Sequence, residues 1–148
     1  MAASDTPIDG SSYYVEVSED SGTTWLKLGN LTASGFSANH ATREVTDVYS
    51  AGANAEFAPG KKSATLSGEG NVAYAAEAGF VKPNELHGYW DDRTKLDIRF
   101  TTANTGDFQY SCKAYVNDFS LSNPNLGETQ TYSISFQVTG AVTAAAVA

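Results

Sequence analysis

Apolar and polar positions alternate, two residues per repeat, through most of this chain. Tyr13, Val15 and Val17 fall on one face of residues 13–18, and Glu19, Asp20, Ser21 and Gly22 follow as a turn cluster. That pattern predicts a half-buried strand and a hairpin turn, with residues 25–28 as the returning partner and residues 31–39 as a third strand. Residues 62–72 alternate again, with Ala64, Leu66, Gly68, Gly70 and Val72 on one face and Ser63, Thr65, Ser67, Glu69 and Asn71 on the other. Glycine at two of the inward positions predicts close approach of another backbone or a sharp bend. Residues 74–90 hold the one plausible helical region, interrupted by Gly79 and Pro83. Proline suits a first helical turn but not an interior, which places a short helix at about 84–91.

The last third is the clearest. Leu96, Ile98 and Phe100 alternate with Lys95, Asp97 and Arg99, and Thr105-Gly106-Asp107 supplies a turn. Phe108, Tyr110, Cys112, Ala114 and Val116 then share a face, after which the phase flips to Phe119 and Leu121. A one-residue slip would turn every later side chain over, so a β-bulge is predicted at Asn117-Asp118 to absorb the extra residue. After a turn at residues 122–125, Tyr132, Ile134, Phe136 and Val138 alternate with hydroxyl and amide residues. Residues 107–122 and 128–140 should pair as an antiparallel hairpin. The sum is a mainly-β chain with one helix.

Residues 36–70 stand apart from this regularity. They begin and end as strand, but from about 40 to 61 the sequence is polar, glycine-punctuated and weakly patterned. A structureless loop that long is uncommon in a compact domain unless it has a job. Val45, Val48, Tyr49 and Phe57 are apolar residues spaced along it, which a mobile loop has no reason to expose and a docking loop would bury. Together with Arg43, Asp47 and Lys61 they form the candidate contact set of an inter-subunit loop.

Bulk properties narrow the function. A chain of 148 residues with 9 basic and 17 acidic side chains carries a formal charge of −8. This argues against binding nucleic acid over the surface, which needs a basic footprint, but not against a wall past which nucleic acid slides. Charged residues are only 18% of the chain, a neutral-polar composition found both in β-rich assemblies and in secreted β-sandwiches. The opening MAASDTPIDGSS has neither a basic n-region nor an apolar run, so no signal peptide is expected there. Nor does any stretch approach the ~18 consecutive apolar residues of a membrane span. A lone Cys112 excludes an internal disulfide framework and reads as a buried free thiol.

Catalysis has little to stand on. His40 and His87 sit in no metal-ligand spacing, and no serine lies in a G-x-S-x-G elbow. Adjacent Asp91 and Asp92 point in different directions and suit a helix C-terminal turn better than a carboxylate pair. Gly68-Glu69-Gly70 lacks the lysine and helix N-terminus of a phosphate loop. Trp25, Tyr89 and Trp90 lie beside apolar neighbours, where packing is favoured over a sugar-binding platform. No cofactor, metal or catalytic residue is therefore assigned. A monomeric carbohydrate-binding β-sandwich using Trp25 or Trp90 is the alternative from another class.

The ordered set of elements from about residue 25 to 139 resembles the major tail tube proteins of phages with long non-contractile tails. The segments that carry the resemblance are LTASGFS at 31–37, Val45-Thr46, a glycine-containing excursion at 50–52, and PGKK at 59–62 leading into ATLSGEG at 64–70. A short helix and a long C-terminal hairpin follow in the family order. The resemblance implies a β-sandwich or half-barrel of antiparallel strands with one flanking helix and a long extended loop. It divides the chain into an N-terminal arm (1–12), the tail tube β domain (13–140, with the inter-subunit loop at about 40–61) and a C-terminal tail (141–148). It further implies self-assembly into stacked hexameric rings whose joined sheets form a β-barrel, similar in architecture to the type VI secretion tube. Partners would be other copies of the chain, tape measure, tail terminator and distal tail proteins, and DNA in transit, without membrane insertion by this chain. The location would be the virion, after assembly in the host cytoplasm. Asp118, Glu128, Thr131, Ser133, Ser135 and Gln137 become candidate lumen residues, while strand parity leaves open which sheet faces inward.

Overall fold

Eight strands and one helix follow the alternation closely. They are β1 (Tyr14–Ser18), β2 (Leu26–Leu28), β3 (Leu31–Glu44), β4 (Phe57–Asn71), β5 (Phe80–Val81), α1 (Pro83–Asp91), β6 (Leu96–Thr101), β7 (Phe108–Ser122) and β8 (Thr131–Ala146). The computed structural model describes residues 6–9, 12–49, 52, 54–75, 77–102, 104–123 and 125–148. Most of the expected N-terminal arm, the centre of the expected 50–52 excursion and Pro124 of the expected 122–125 turn lie outside these residues.

The strands form one sheet in the order β3-β4-β8-β7-β6-β1-β2-β5, antiparallel except for the β2–β5 pair. The sheet curls so that its β1-β2 end lies over β4 and β8. Val15, Val17 and Leu28 from one half and Leu66, Ile134 and Phe136 from the other share a single buried cluster, which makes the curled sheet a sandwich. Burying each large aliphatic or aromatic side chain contributes about 1.5–3 kcal/mol, so this cluster rather than any hydrogen bond decides the curl. Helix α1 closes one side with buried Leu86 and Tyr89. It starts one residue earlier than expected, with Pro83 in the first turn and the Glu85 carboxylate accepting the Lys82 N–H at 3.3 Å.

The predicted bulge is present. Pairing of β7 with β8 shifts between Val116 and Asp118, returning Phe119 and Leu121 to the side of Ile134 and Tyr132. A second shift in the same pair, between Ser111 and Lys113, was not anticipated. It coincides with Gly140, whose φ of 84° is in the region that favours glycine.

Two sequence boundaries are corrected. Residues 40–61 are not a loop throughout: β3 continues to Glu44 and β4 begins at Phe57, with Arg43 opposite Ala58 and Glu44 opposite Phe57. The weak apolar pattern hid this, because neither face of a two-stranded ribbon that leaves the core is buried. Residues 141–148 are likewise not a simple tail, since β8 runs to Ala146 alongside β7. Their small side chains carry no alternation signal.

The inward glycines mark close approach. A Cβ on Gly70 would lie 2.5 Å from the Asn30 carbonyl oxygen and 2.8 Å from the Tyr132 ring. One on Gly68 would meet only movable side-chain ends, the nearest being Leu28 Cδ1 at 2.8 Å. Tyr132 Oη donates to the Gly29 carbonyl at 2.6 Å and ties the two halves of the sandwich at this point. Gly70→Ala should therefore destabilise by about 1–3 kcal/mol, and Gly68→Ala by clearly less. Urea unfolding of the two variants checks this, and equal losses would contradict the asymmetry.

Candidate assembly surfaces

Strand register sorts β3, β4, β8 and β7 into two faces. On the core side, Phe36, Leu66, Phe136 and Val116 stand in one row across the four strands. On the opposite side run the rows Ser37-Thr65-Gln137-Tyr115, Gly35-Ser67-Ser135-Asp118 and Ala33-Glu69-Ser133-Ser120, with Asn71-Thr131-Ser122 beyond them. These rows hold two carboxylates and most of their side chains are hydroxyls or smaller; the row beyond Gln137-Tyr115 pairs Thr139 with Lys113, whose ammonium lies 3.9 Å from the Asp97 carboxylate.

The sequence-predicted lumen set divides on this face. Asp118, Thr131, Ser133, Ser135 and Gln137 share it, whereas Glu128 sits in the turn before β8, its N–H donating to the Asn125 carbonyl at 3.1 Å. Thr65, Ser67, Glu69, Asn71, Ser120 and Ser122 belong to the same face and were missing from that set. The alternation of residues 62–72 carried the signal for the β4 members; only their neighbourhood with β8 was invisible.

The second surface is the arm formed by the distal parts of β3 and β4. Strand β4 pairs with β8 only from Thr65 to Asn71, so residues 57–64 have β3 as their one strand neighbour. Over the ~3.3 Å rise of each residue this is a ribbon running more than ~20 Å past the last β4–β8 pair, unpaired with the distal part of β8. Its loop is anchored at the base: Val45 N–H donates to the Glu56 carbonyl at 2.8 Å, and Glu56 N–H to Thr46 Oγ1 at 2.8 Å. Asp47 Oδ1 accepts the Tyr49 N–H at 2.8 Å, an Asx-type turn that shapes the tip. The arm gathers Arg43, Val45, Asp47, Val48, Tyr49 and Phe57 at its distal end, with Lys61 nearer the root. Val48 and Tyr49 are each 91% exposed and Phe57 61%.

Trp25 and Tyr89 are held in packing, whereas Trp90 is 47% exposed and His40, Asp91 and Asp92 lie at the surface. Glu16 is buried with its carboxylate paired to Arg99, whose Nε donates at 2.6 Å, and the Arg99 guanidinium lies 4.2 Å from the Trp25 ring centroid. The Trp25 face is thus occupied. Tyr89 is buried, and burial above all pushes its hydroxyl up to about 12. Trp90 lies on the helix beside His87, ring centroids 5.6 Å apart, while His40 is exposed on the arm. Asp91 ends α1, and the Asp92 N–H donates to the Gly88 carbonyl at 2.9 Å. Among the described residues no group of His, Cys, Asp and Glu is placed to hold a metal ion, and no helix is long and apolar enough to cross a membrane.

Cys112 is buried opposite Ile98. Burial, assisted by the Asp97 charge, pushes its thiol up to about 11. Because the folded value is raised, the stabilisation from keeping the thiol neutral is complete below the ordinary thiol range. It falls as pH rises from there toward about 11. Iodoacetamide at pH 8 should leave Cys112 unmodified in the folded protein over a period that labels the urea-unfolded chain completely. Equal labelling rates would contradict its burial.

Residues 8–144 match the family of phage tail tube proteins. No curated protein matches the chain by sequence. In fold it is similar to a chain of the tail of an empty gene transfer agent particle refined with C6 symmetry, at 17% identity and a TM-score of 0.76, over 93% of this chain and 98% of that one. It is also similar to the SPP1 tail tube, at 16% identity and a TM-score of 0.71, over 95% and 80%. A chain of the sheath-tube complex of an extracellular contractile injection system (PVC, extended state) gives 15% identity and a TM-score of 0.69, over 97% and 94%. With most of its length matched by the family and its strands in the same arrangement, this chain belongs to the phage tail tube proteins.

Proposed function

We propose that copies of this chain close into hexameric rings, that the rings stack into a tube, and that the polar face of β3-β4-β8-β7 lines the channel. The observation that carries this reading is that face itself. It is broad, built of small hydroxyl side chains, and carries Glu69 and Asp118, while the Lys113 that follows in the next row is paired with Asp97. Such a wall repels phosphates and offers little for them to grip, which suits a conduit for DNA. The outer edge of β3, 14 residues long, has no strand partner among the described residues. An exposed edge of that length invites pairing, and continuing the sheet into a neighbour would satisfy it. The C6 symmetry of the related tail supports six subunits per ring.

On this reading the arm joins one ring to the next through Val45, Val48, Tyr49 and Phe57. The channel holds a tape measure protein during assembly in the host cytoplasm, and the ends of the tube meet terminator and distal tail proteins in the virion. The role is mechanical and involves no catalytic step.

Negative-stain microscopy of the concentrated protein should show rings or tubes, and a strict monomer would sink the proposal. Replacing residues 45–56 by an Asn-Gly turn keeps the β3–β4 pairing and should leave a folded protein that no longer forms tubes. Tubes from that variant would remove the arm from the joint.

The wall makes a separate prediction. Glu69→Lys with Asp118→Lys should give tubes that retain double-stranded DNA in co-sedimentation at low salt and release it as salt rises, whereas the parent tubes retain none. Equal retention by both would show that this face does not meet the channel.

A further inference from the structure

Where the arm leaves the sheet, β4 and β8 splay apart and leave an open cleft of about 560 Å³. Its apolar floor includes Ala64, Val138 and Val142, and Ala38, His40 and Lys62 stand on the arm side. No carboxylate lines it. Beyond Gln137, β8 has β7 on one side and, among the described residues, no strand on the other, so the cleft also offers an unpaired strand edge.

The arm tip has the opposite character. Glu44, Asp47 and Glu56 surround Val45, Val48, Tyr49 and Phe57, with Arg43 the one basic residue among them. An apolar, acid-rimmed knob and an apolar, base-rimmed cleft therefore occur on the same chain. They do not meet within one molecule, because the ribbon sets Phe57 and Glu44 roughly 13–17 Å from Lys62 and His40 and carries Val48 and Tyr49 farther out. Complementary patches at different places on one subunit make heterologous contacts, which propagate rather than pair off.

We infer that the arm tip of one copy seats in the β4–β8 cleft of a second copy, placing Tyr49 and Val48 on Val138 and Val142 and the acidic rim against Lys62 and His40. This rests on the reading of the chain as a tube subunit and names the acceptor of its arm. The apolar contact supplies affinity, and the charges select this cleft over the rest of an acidic surface.

Disulfide trapping tests it. In a Cys112→Ala background, Ala55→Cys, which keeps Val48 and Tyr49, combined with Ala141→Cys should give assembled tubes that run as a covalent ladder on a non-reducing gel. Ala55→Cys with Leu126→Cys, whose second site is the exposed turn before β8, should give none. Tubes that crosslink only through Leu126→Cys, or through neither pair, overturn the cleft as acceptor while leaving the tube reading intact. Failure of the parent chain to assemble overturns both. Charge reversal supplies a second measurement. Lys62→Glu should raise the concentration needed for assembly roughly tenfold, and adding Glu44→Lys and Glu56→Lys to the same chain should recover most of it. Lys62→Glu without effect, or without recovery, would also overturn the assignment.

Discussion

The register of β4, β8 and β7 is the constraint on which the rest depends. These strands must present one continuous apolar face to the core and one continuous polar face away from it over their whole shared length. A single residue out of phase would put carboxylate and hydroxyl groups into the cluster around Phe136 and turn phenylalanine outward. β7 contains such a slip in its sequence, and the bulge between Val116 and Asp118 absorbs it. Asn117 is the residue left over. Its insertion keeps Phe119 beside Ile134 while Asp118 joins Ser135 and Ser67 on the polar side. The acidic wall and the packed core are thus two consequences of one local irregularity.

Much of this was legible in the sequence because period-two alternation is a direct readout of half-burial. The long C-terminal strands, the bulge, the close approach at Gly68 and Gly70, and the helix after Lys82 all follow from side-chain pattern or from proline and glycine stereochemistry. What was not legible has a common cause. The distal arm and the end of β8 are strands without a buried face in the subunit, so selection for burial leaves no alternation there. The polar wall was half legible: its β8 members were identified, but not Thr65, Ser67 and Glu69. Parity assigns a residue to a face of its own strand and says nothing of which strands lie side by side. Glu128 lies in the turn before β8, where strand parity assigns it to neither face.

The arm raises an energetic question that the fold alone does not answer. A two-stranded ribbon is marginal in water, and this one exposes two valines, a tyrosine and a phenylalanine near its end. Stapling of Val45 and Thr46 to Glu56 and the Asp47 turn organise it. Each such hydrogen bond adds only about 1 kcal/mol, which limits the entropy of the loop without making the ribbon a stable unit. Covering the exposed side chains would contribute more than all of these bonds together. The arm is therefore preorganised in shape but incomplete in burial, the condition under which association completes a fold that the subunit leaves open.

Incomplete burial also gives an acidic chain a way to adhere to copies of itself. Net charge acts over the whole surface and disfavours random contact between copies. Adhesion must then come from places where apolar area and local charge outweigh that repulsion. The described residues offer such a place in the cleft beside Lys62, where no carboxylate lines the surface. The polar wall offers no apolar patch among its rows, and the Lys113 at its margin is already paired with Asp97. Selectivity between the two surfaces thus follows from joining apolar area to a basic residue in one place, as the cleft does with Val138, Val142 and Lys62.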